Sequence, residues 1–173
     1  MDCTYSKIWT EKEGGRVIMI KKQSIGIWMN VIVVLLTLVS FIAYGVNISS
    51  EGYFKNASVS NLITYGVVAV LMLVLVIILA QKEYVGTTAM AVEIVSGILR
   101  IIAPVLLTLC LIGLVSARAE GLGFIYFSNE DVLKEIQTAE NMSSAMGTII
   151  NMICLGISAV AAMVAAFFGL RKE

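Results

Sequence analysis

Four long apolar blocks constrain the fold of this chain more than any other feature. They cover approximately residues 24–46, 61–80, 94–116 and 146–170. Each is close to the roughly 20 residues that a helix needs to cross the hydrocarbon core of a bilayer. Backbone groups in lipid must be hydrogen-bonded internally, and no block alternates as a barrel strand does, so only helices suit them. The sequence therefore predicts an all-α integral membrane protein with four transmembrane helices.

Composition agrees with this prediction and excludes several classes of function. Charged residues make up 14% of the 173-residue chain, against about 25% in soluble domains. The net charge of zero gives no indication of a nucleic-acid partner. Histidine, the commonest metal ligand, is absent, and the three cysteines include no C-x-x-C pair. We therefore expect a non-enzymatic protein with no catalytic residues, no metal and no cofactor.

Lysine and arginine residues near the ends of the spans predict which side of the membrane each connection faces. If both termini are cytoplasmic, the inner segments carry eight of these residues, and the outer connections carry three, namely Lys55, Arg118 and Lys134. Without residues 1–18 the count is five against three. We therefore expect a multi-pass protein of the plasma membrane with both termini cytoplasmic.

The first 20 residues lack the order of a secretory signal and predict a disordered cytoplasmic tail. Two interpretations of this segment stay open. The letters "KEGGRVIM" (12–19) are what a purine-rich ribosome-binding site would encode, with Met19 at a fitting distance. Translation of a bacterial gene would then start at Met19, whereas in the other interpretation residues 1–18 are a genuine polar tail.

The apolar blocks also show signs of an internal repeat. "GIWMNVIVVLLTL" (26–38) matches "GILRIIAPVLLTL" (97–109) at seven of thirteen positions, at an offset of 71. Further matches follow in chain order, "YFKN" with "YFSN" at an offset of 73 and the second with the fourth block at 90. A repeat of two spans keeps its orientation, so the axis relating the copies would lie along the membrane normal. The sequence thus predicts two parallel-repeat helical hairpins, residues 21–93 and 94–173.

The second hairpin carries the longer outer connection, a loop over residues 117–145. Ser128 resembles an N-cap, and Glu130 and Lys134 form a favourable i,i+4 pair, so we predict a short extracellular helix over about 129–140. This helix would serve either as a lid on the bundle or as a surface for docking a partner. Four aromatic residues beside the outer connections are interpreted as interfacial anchors: Tyr53, Phe54, Tyr126 and Phe127.

Arg100 lies inside the third apolar block, about seven residues beyond Glu93, or roughly 10 Å along a helix. A long side chain at this depth can bend back to the headgroups. The offset of 71 aligns it with the uncharged Met29. In the alternative interpretation Arg100 points into the bundle and needs a partner, with Asn30 as the first candidate and Glu93 as the second. These three residues would then form a candidate ligand or ion site.

The fourth block is rich in small residues at the small-xxx-small spacing that lets helices approach closely. The residues expected to pack are Gly156, Ser158, Ala162 and Ala166. We therefore expect the fourth span to be the most buried, within the monomer or at an oligomer interface. The second span, rich in Leu, Val and Ile, is expected to face lipid.

The segments "YFKNASVSNLITYGVVAV" (53–70) and "ENMSSAMGTIINMICLGISAV" (140–160) resemble small four-span membrane proteins of low-GC Gram-positive bacteria. The resemblance covers residues 20–173 and implies no function or site. We expect a non-catalytic accessory or structural subunit of a larger membrane assembly, whose partners are the lipid bilayer and a membrane protein or further copies of itself. The alternative is a small oligomeric transporter or channel with Arg100 near its path. Asn30, Thr37 and Ser40 offer only a thin polar stripe for a pore, which favours the subunit.

Overall fold

The computed structural model describes residues 25–82, 84 and 86–168. The predicted tail, residues 1–20, and the choice between Met1 and Met19 lie outside them. The described residues form five helices: α1 (Ile25–Ser49), α2 (Ser60–Gln81), α3 (Thr87–Phe127), α4 (Glu130–Ile136) and α5 (Ala139–Phe167). All but α4 are long and apolar enough to cross a membrane. The predicted all-helical fold with four possible spans is confirmed.

The four long helices form a closed ring in the order α1, α2, α3, α5. The most extensive contacts join α2 to α3 and α1 to α5, and the contact between α1 and α2 is the smallest. Each helix runs antiparallel to its neighbours. One end of the bundle, the Arg100 end, carries Ile25, Lys82 and Phe168. The opposite end, the Arg118 end, carries α4 and the connection 50–59.

The bundle buries polar side chains within an apolar core and exposes a largely apolar outer surface. Buried positions recur at alternating spacings of three and four, as in coiled-coil packing, and in α5 they include Ser144, Thr148, Asn151 and Ser158. The outer faces carry exposed side chains such as Ile42 (66%) and Leu71 (62%). Apolar surface of this extent is unfavourable in water but not in hydrocarbon, where polar groups must instead find partners inside the protein. This distribution supports the membrane assignment independently of hydropathy.

The helices are longer than the apolar blocks predict. The third span was expected to end near residue 116, but α3 continues to Phe127, and α5 already begins at Ala139. Most of residues 117–145 is therefore helical, and the prediction of a loop there is wrong. The physical reason is that the buried face of α3 continues through Arg118, Gly121 and Ile125, so that packing sustains the helix beyond the uncharged segment.

A short helix is present where the sequence predicts one. Its N-cap is Asn129, whose side chain accepts from the Val132 N–H at 3.1 Å, and not Ser128. The Ser128 hydroxyl instead donates to the Phe124 carbonyl at 2.7 Å. Lys134 lies 3.8 Å from Asp131 and thus forms its ion pair at i,i+3.

Within the monomer the fourth span is not the most buried of the four, and its burial at an oligomer interface stays a prediction. In an apolar stretch of 18 residues in each long helix, 33% of the residues are buried in α5, α1 and α3, and 28% are buried in α2. In a closed ring each helix shows one face to its neighbours and one to the outside, so small residues in α5 do not place it at the centre. The lower share in α2 agrees with the expectation that it faces lipid.

Candidate functional site

A ladder of polar side chains, the polar seam, joins α1 to α5. Ser40 Oγ donates to Asn151 Oδ1 at 2.7 Å, Asn47 Nδ2 donates to the Ser144 carbonyl at 2.8 Å, and Thr148 Oγ1 donates to Asn47 Oδ1 at 3.1 Å. All five residues are buried. Interhelical hydrogen bonds of this kind hold membrane helices together where burial of apolar surface cannot.

Sequence reasoning found only the Ser40 side of this ladder. It missed Asn47, which ends the first block, and the facing residues Ser144, Thr148 and Asn151. The signal was present, because these three residues lie on one face of a helix at spacings of four and three.

Asn30 and Thr37 are buried but bond within their own helix. Asn30 Nδ2 donates to the Gly26 carbonyl at 2.7 Å, and Thr37 Oγ1 donates to the Val33 carbonyl at 2.8 Å. Each side chain therefore has a hydrogen-bond partner within its own helix. The polar stripe on α1 that suggested a transport path therefore consists of side chains that are hydrogen-bonded inside the protein.

Arg100 points into the bundle and does not reach outward. Its side chain is 8% exposed, and Nη2 donates to the carbonyls of Ala165 and Phe168 at the C-terminal end of α5. Nε is buried without a partner among the described residues. The expected partner Asn30 is not used. α5 ends beside Arg100, and main-chain carbonyls of that end take the place expected for Asn30. The interpretation that Arg100 bends back to the headgroups stays a prediction.

A cavity of about 250 Å³ lies beside Arg100, between the end of α2 and the first turns of α3. Lys82, Tyr84, Glu93, Ser96 and Arg100 supply its polar lining. The structure thus brings Glu93 and Arg100 to one cavity and leaves Asn30 outside it. Two cations beside one carboxylate make this the described site best suited to an anion.

A second arginine, Arg118, is buried at the opposite end of α3. It is 3% exposed, donates from Nη2 to the Ala57 carbonyl, and lies 4.6 Å from the centre of the Phe54 ring. The Tyr44 hydroxyl, which accepts from the Val59 N–H, lies close to the same guanidinium. Arg118 thus fastens the connection between α1 and α2 to α3. The sequence predicted Arg118 in an outer loop, because its charge was taken to mark the end of the third span.

The aromatic residues expected to be anchors occupy different environments. Phe127 is 88% exposed and Tyr53 is 41% exposed, whereas Tyr126 is partly buried. Phe54 is only 3% exposed and packs edge-on to Tyr53 with ring centres 5.2 Å apart. An interfacial anchor must reach the membrane, so this interpretation does not fit Phe54.

The small residues of α5 also divide into two groups. Ser158 and Ala162 are buried within the bundle, while Gly156 and Ala166 are partly exposed. Ala166 lines an apolar groove of about 420 Å³ on the outside of the bundle between α3 and α5, together with Pro104 and Met163. The small residues therefore serve first for packing inside the monomer.

The described part of the chain holds no group of three His, Cys, Asp or Glu side chains that could bind a metal ion. The arrangement offers cationic and hydrogen-bonding groups for holding an anion at the Arg100 end. No family model, no curated protein and no solved structure matches this chain.

Proposed function

We propose that this multi-pass membrane protein is a non-catalytic accessory or structural subunit of a larger membrane assembly. The observation that carries the proposal is the pairing of polar groups inside the bundle. Ser40, Asn47, Thr148 and Asn151 bond to one another or to main-chain carbonyls. A transport path needs polar groups that are free to exchange partners with a passing solute, whereas these groups are committed to holding α1 against α5.

The ring of helices supports the proposal of two repeated hairpins. A two-fold axis that relates α1 to α3 and α2 to α5 would also relate the α1–α5 contact to the α3–α2 contact, and these are the two most extensive. Buried positions correspond as well. Residues 30, 33, 37, 40 and 44 of α1 have buried counterparts 70 positions later, and residues 62, 66, 69, 73 and 76 of α2 have buried counterparts 89 positions later.

We further propose that the protein lies in the plasma membrane with both termini cytoplasmic, so that the Arg100 end is the inner end. The proposal is supported by the excess of lysine and arginine in the segments that lead to this end. In this orientation α4, with Glu130, Asp131 and Glu135, lies outside the cell.

Two measurements separate the subunit from the transporter. The protein is first extracted from its native membrane in a mild detergent, and the mass of the complex is compared with the 18.7 kDa of the chain. We expect a larger complex in which one other membrane protein is present in fixed stoichiometry. A purified protein that contains this chain alone would contradict the subunit proposal.

The second measurement is ion flux into liposomes that contain the purified chain, with K⁺ and Cl⁻ as the probes. The subunit proposal expects no flux beyond that of empty liposomes. A flux that Arg100→Gln abolishes and Lys55→Gln leaves unchanged would establish the alternative, in which Arg100 lies near a path. Lys55 is a suitable control because it pairs with Glu51 on the surface of the opposite end.

A further inference from the structure

The cavity beside Arg100 combines charge with apolar surface. Lys82 and Arg100 contribute two positive charges and Glu93 one negative charge, so the formal charge of the described lining residues is +1. Leu79, Ala80 and Val92 line the same cavity. A ligand that matches this lining carries one negative charge on a polar group and also has an apolar portion.

Arg100 has binding capacity that the protein does not use. Its side chain is more than nine-tenths buried, and its Nη2 atom is occupied by the carbonyls of Ala165 and Phe168. Its Nε–H has no acceptor among the described residues. A buried donor on a charged group is strongly unfavourable unless an acceptor approaches it, and an anionic oxygen is the acceptor that suits a guanidinium best.

The position of the cavity favours a lipid over a soluble anion. From Ile101 to Ala117 α3 carries no charge, so Arg100 marks one boundary of its uncharged segment. Phosphate groups of phospholipids lie at this depth of a membrane. Ile94 and Ile98, on the adjoining turns of α3, are exposed and provide apolar surface beside the cavity for acyl chains.

We propose that this cavity binds the phosphate group of an anionic phospholipid of net charge −1. Lys82 and Arg100 hold the phosphate oxygens, and the charge of the lipid neutralises that of the lining. Glu93 opposes the lipid and limits its affinity. The proposal does not depend on whether the protein is a subunit or a transporter.

The test measures lipid binding to the purified protein in detergent, by native mass spectrometry during titration with phosphatidylglycerol. Phosphatidylcholine and inorganic phosphate serve as comparison ligands. Arg100→Gln also removes the bonds to α5, so the decisive variants are Lys82→Gln and Glu93→Gln, whose side chains are exposed. Lys55→Gln at the opposite end is the matched control.

We expect phosphatidylglycerol to bind more tightly than phosphatidylcholine. Lys82→Gln should weaken binding about tenfold, as expected for a lost charge-assisted hydrogen bond, while Glu93→Gln should strengthen it and Lys55→Gln should not change it. A purely structural role of these side chains would not produce opposite effects. Equal affinity for the two lipids, or equal affinity of all variants, would overturn the proposal, and displacement of the lipid by millimolar inorganic phosphate would overturn its lipid part.

Discussion

Both buried arginines of α3 are bound by main-chain carbonyls rather than by carboxylates. Arg100 meets the carbonyls that end α5, and Arg118 meets the carbonyl of Ala57 in a connection. Not all carbonyls in the last turn of a helix are used by the helix itself, and a cation at a helix C-terminus also interacts favourably with the helix dipole, by about 0.3–1 kcal/mol at the surface. Arginine thus binds main-chain carbonyls both at a helix C-terminus and in a connection between helices.

The pair of Ser40 and Asn151 permits a test of the polar seam. Asn151→Ala leaves the buried Ser40 hydroxyl without its acceptor, and we expect a loss of about 0.6–2 kcal/mol in the free energy of unfolding. The double variant Ser40→Ala with Asn151→Ala should lose less than the sum of the single variants. The measurement is unfolding in mixed micelles.

Ser50→Ala is the control for this cycle, because Ser50 is exposed and bonds only to the Val46 carbonyl of its own helix. We expect its effect to stay within about 0.5 kcal/mol. Strict additivity of the two seam variants would show that the bond between them does not contribute.

Two glycines allow a second test at the scale of single residues. Gly52 has a φ of +137°, and a Cβ atom there would lie 2.6 Å from Ser144 Cβ and 2.7 Å from the Glu140 carbonyl oxygen. Gly52→Ala should therefore reduce the free energy of unfolding by about 2 kcal/mol or more, since backbone of α5 would have to move. Gly113→Ala meets open space inside α3, and we expect it to be neutral or stabilising by up to about 1 kcal/mol. Similar destabilisation by both, measured by thermal unfolding, would contradict this contrast.

At the scale of helices, the proposed repeat shows how far sequence matching can go. Identities such as "VLLTL" align α1 with α3 at an offset of 71, but the buried faces correspond at 70, and α2 corresponds with α5 at 89 instead of 90. Alignment of the buried faces places Arg100 opposite Asn30 rather than Met29. A shift of one residue rotates a helix by about 100°. Identity among apolar residues therefore revealed the order of the elements but not their buried faces.

The number of spans, the short fourth helix and the exposure of α2 followed from hydropathy and capping signals. The ends of α3 and α5 did not, because they extend past the uncharged segments on packing that only the folded bundle supplies. Likewise, the partner of Arg100 was not predictable. It consists of main-chain carbonyls at the end of α5. Every residue has such a carbonyl, so the sequence does not indicate which one accepts a hydrogen bond from Arg100.

Arg118 fastens the connection between α1 and α2, which predicts a local effect when it is replaced. Arg118→Gln removes the fork that reaches Ala57 and the contact with the Phe54 ring. We expect amide hydrogen exchange in residues 52–59 to accelerate about tenfold, a local opening with little change in the rest of the bundle. Lys134→Gln, on the exposed face of α4, is the control. Unchanged exchange in 52–59 would show that Arg118 does not hold this connection.

At the scale of the whole molecule, we propose that the two arginines mark the two boundaries of the membrane. Between Arg100 and Arg118 α3 advances about 27 Å, close to the roughly 30 Å of a hydrocarbon core, whereas its 41 residues extend about 62 Å. In this proposed placement both ends of α3 project beyond the lipid. An arginine can then follow early in an apolar run, because the run continues past the boundary of the membrane.

The proposed orientation is tested by labelling introduced cysteines in intact cells, with the native cysteines replaced. Asp131→Cys in α4 and Thr88→Cys at the start of α3 are exposed positions at opposite ends of the bundle. We expect a membrane-impermeant maleimide to label Asp131→Cys in intact cells and Thr88→Cys only after permeabilisation. The reverse pattern would invert the topology, and labelling of both in intact cells would contradict a bundle that spans the membrane.

The polar seam also determines when, during synthesis of the chain, the polar side chains of α1 can form their hydrogen bonds. The side chains of Ser40 and Asn47 find their partners 111, 101 and 97 residues later in the chain. A ribosome that adds about 5–20 residues per second needs roughly 5–20 s to reach them. During that interval the first helix must wait in the translocon or in lipid with its amide and hydroxyl groups unmatched. A nascent chain that stops before its last helix therefore leaves the Ser40 and Asn47 side chains without their partners.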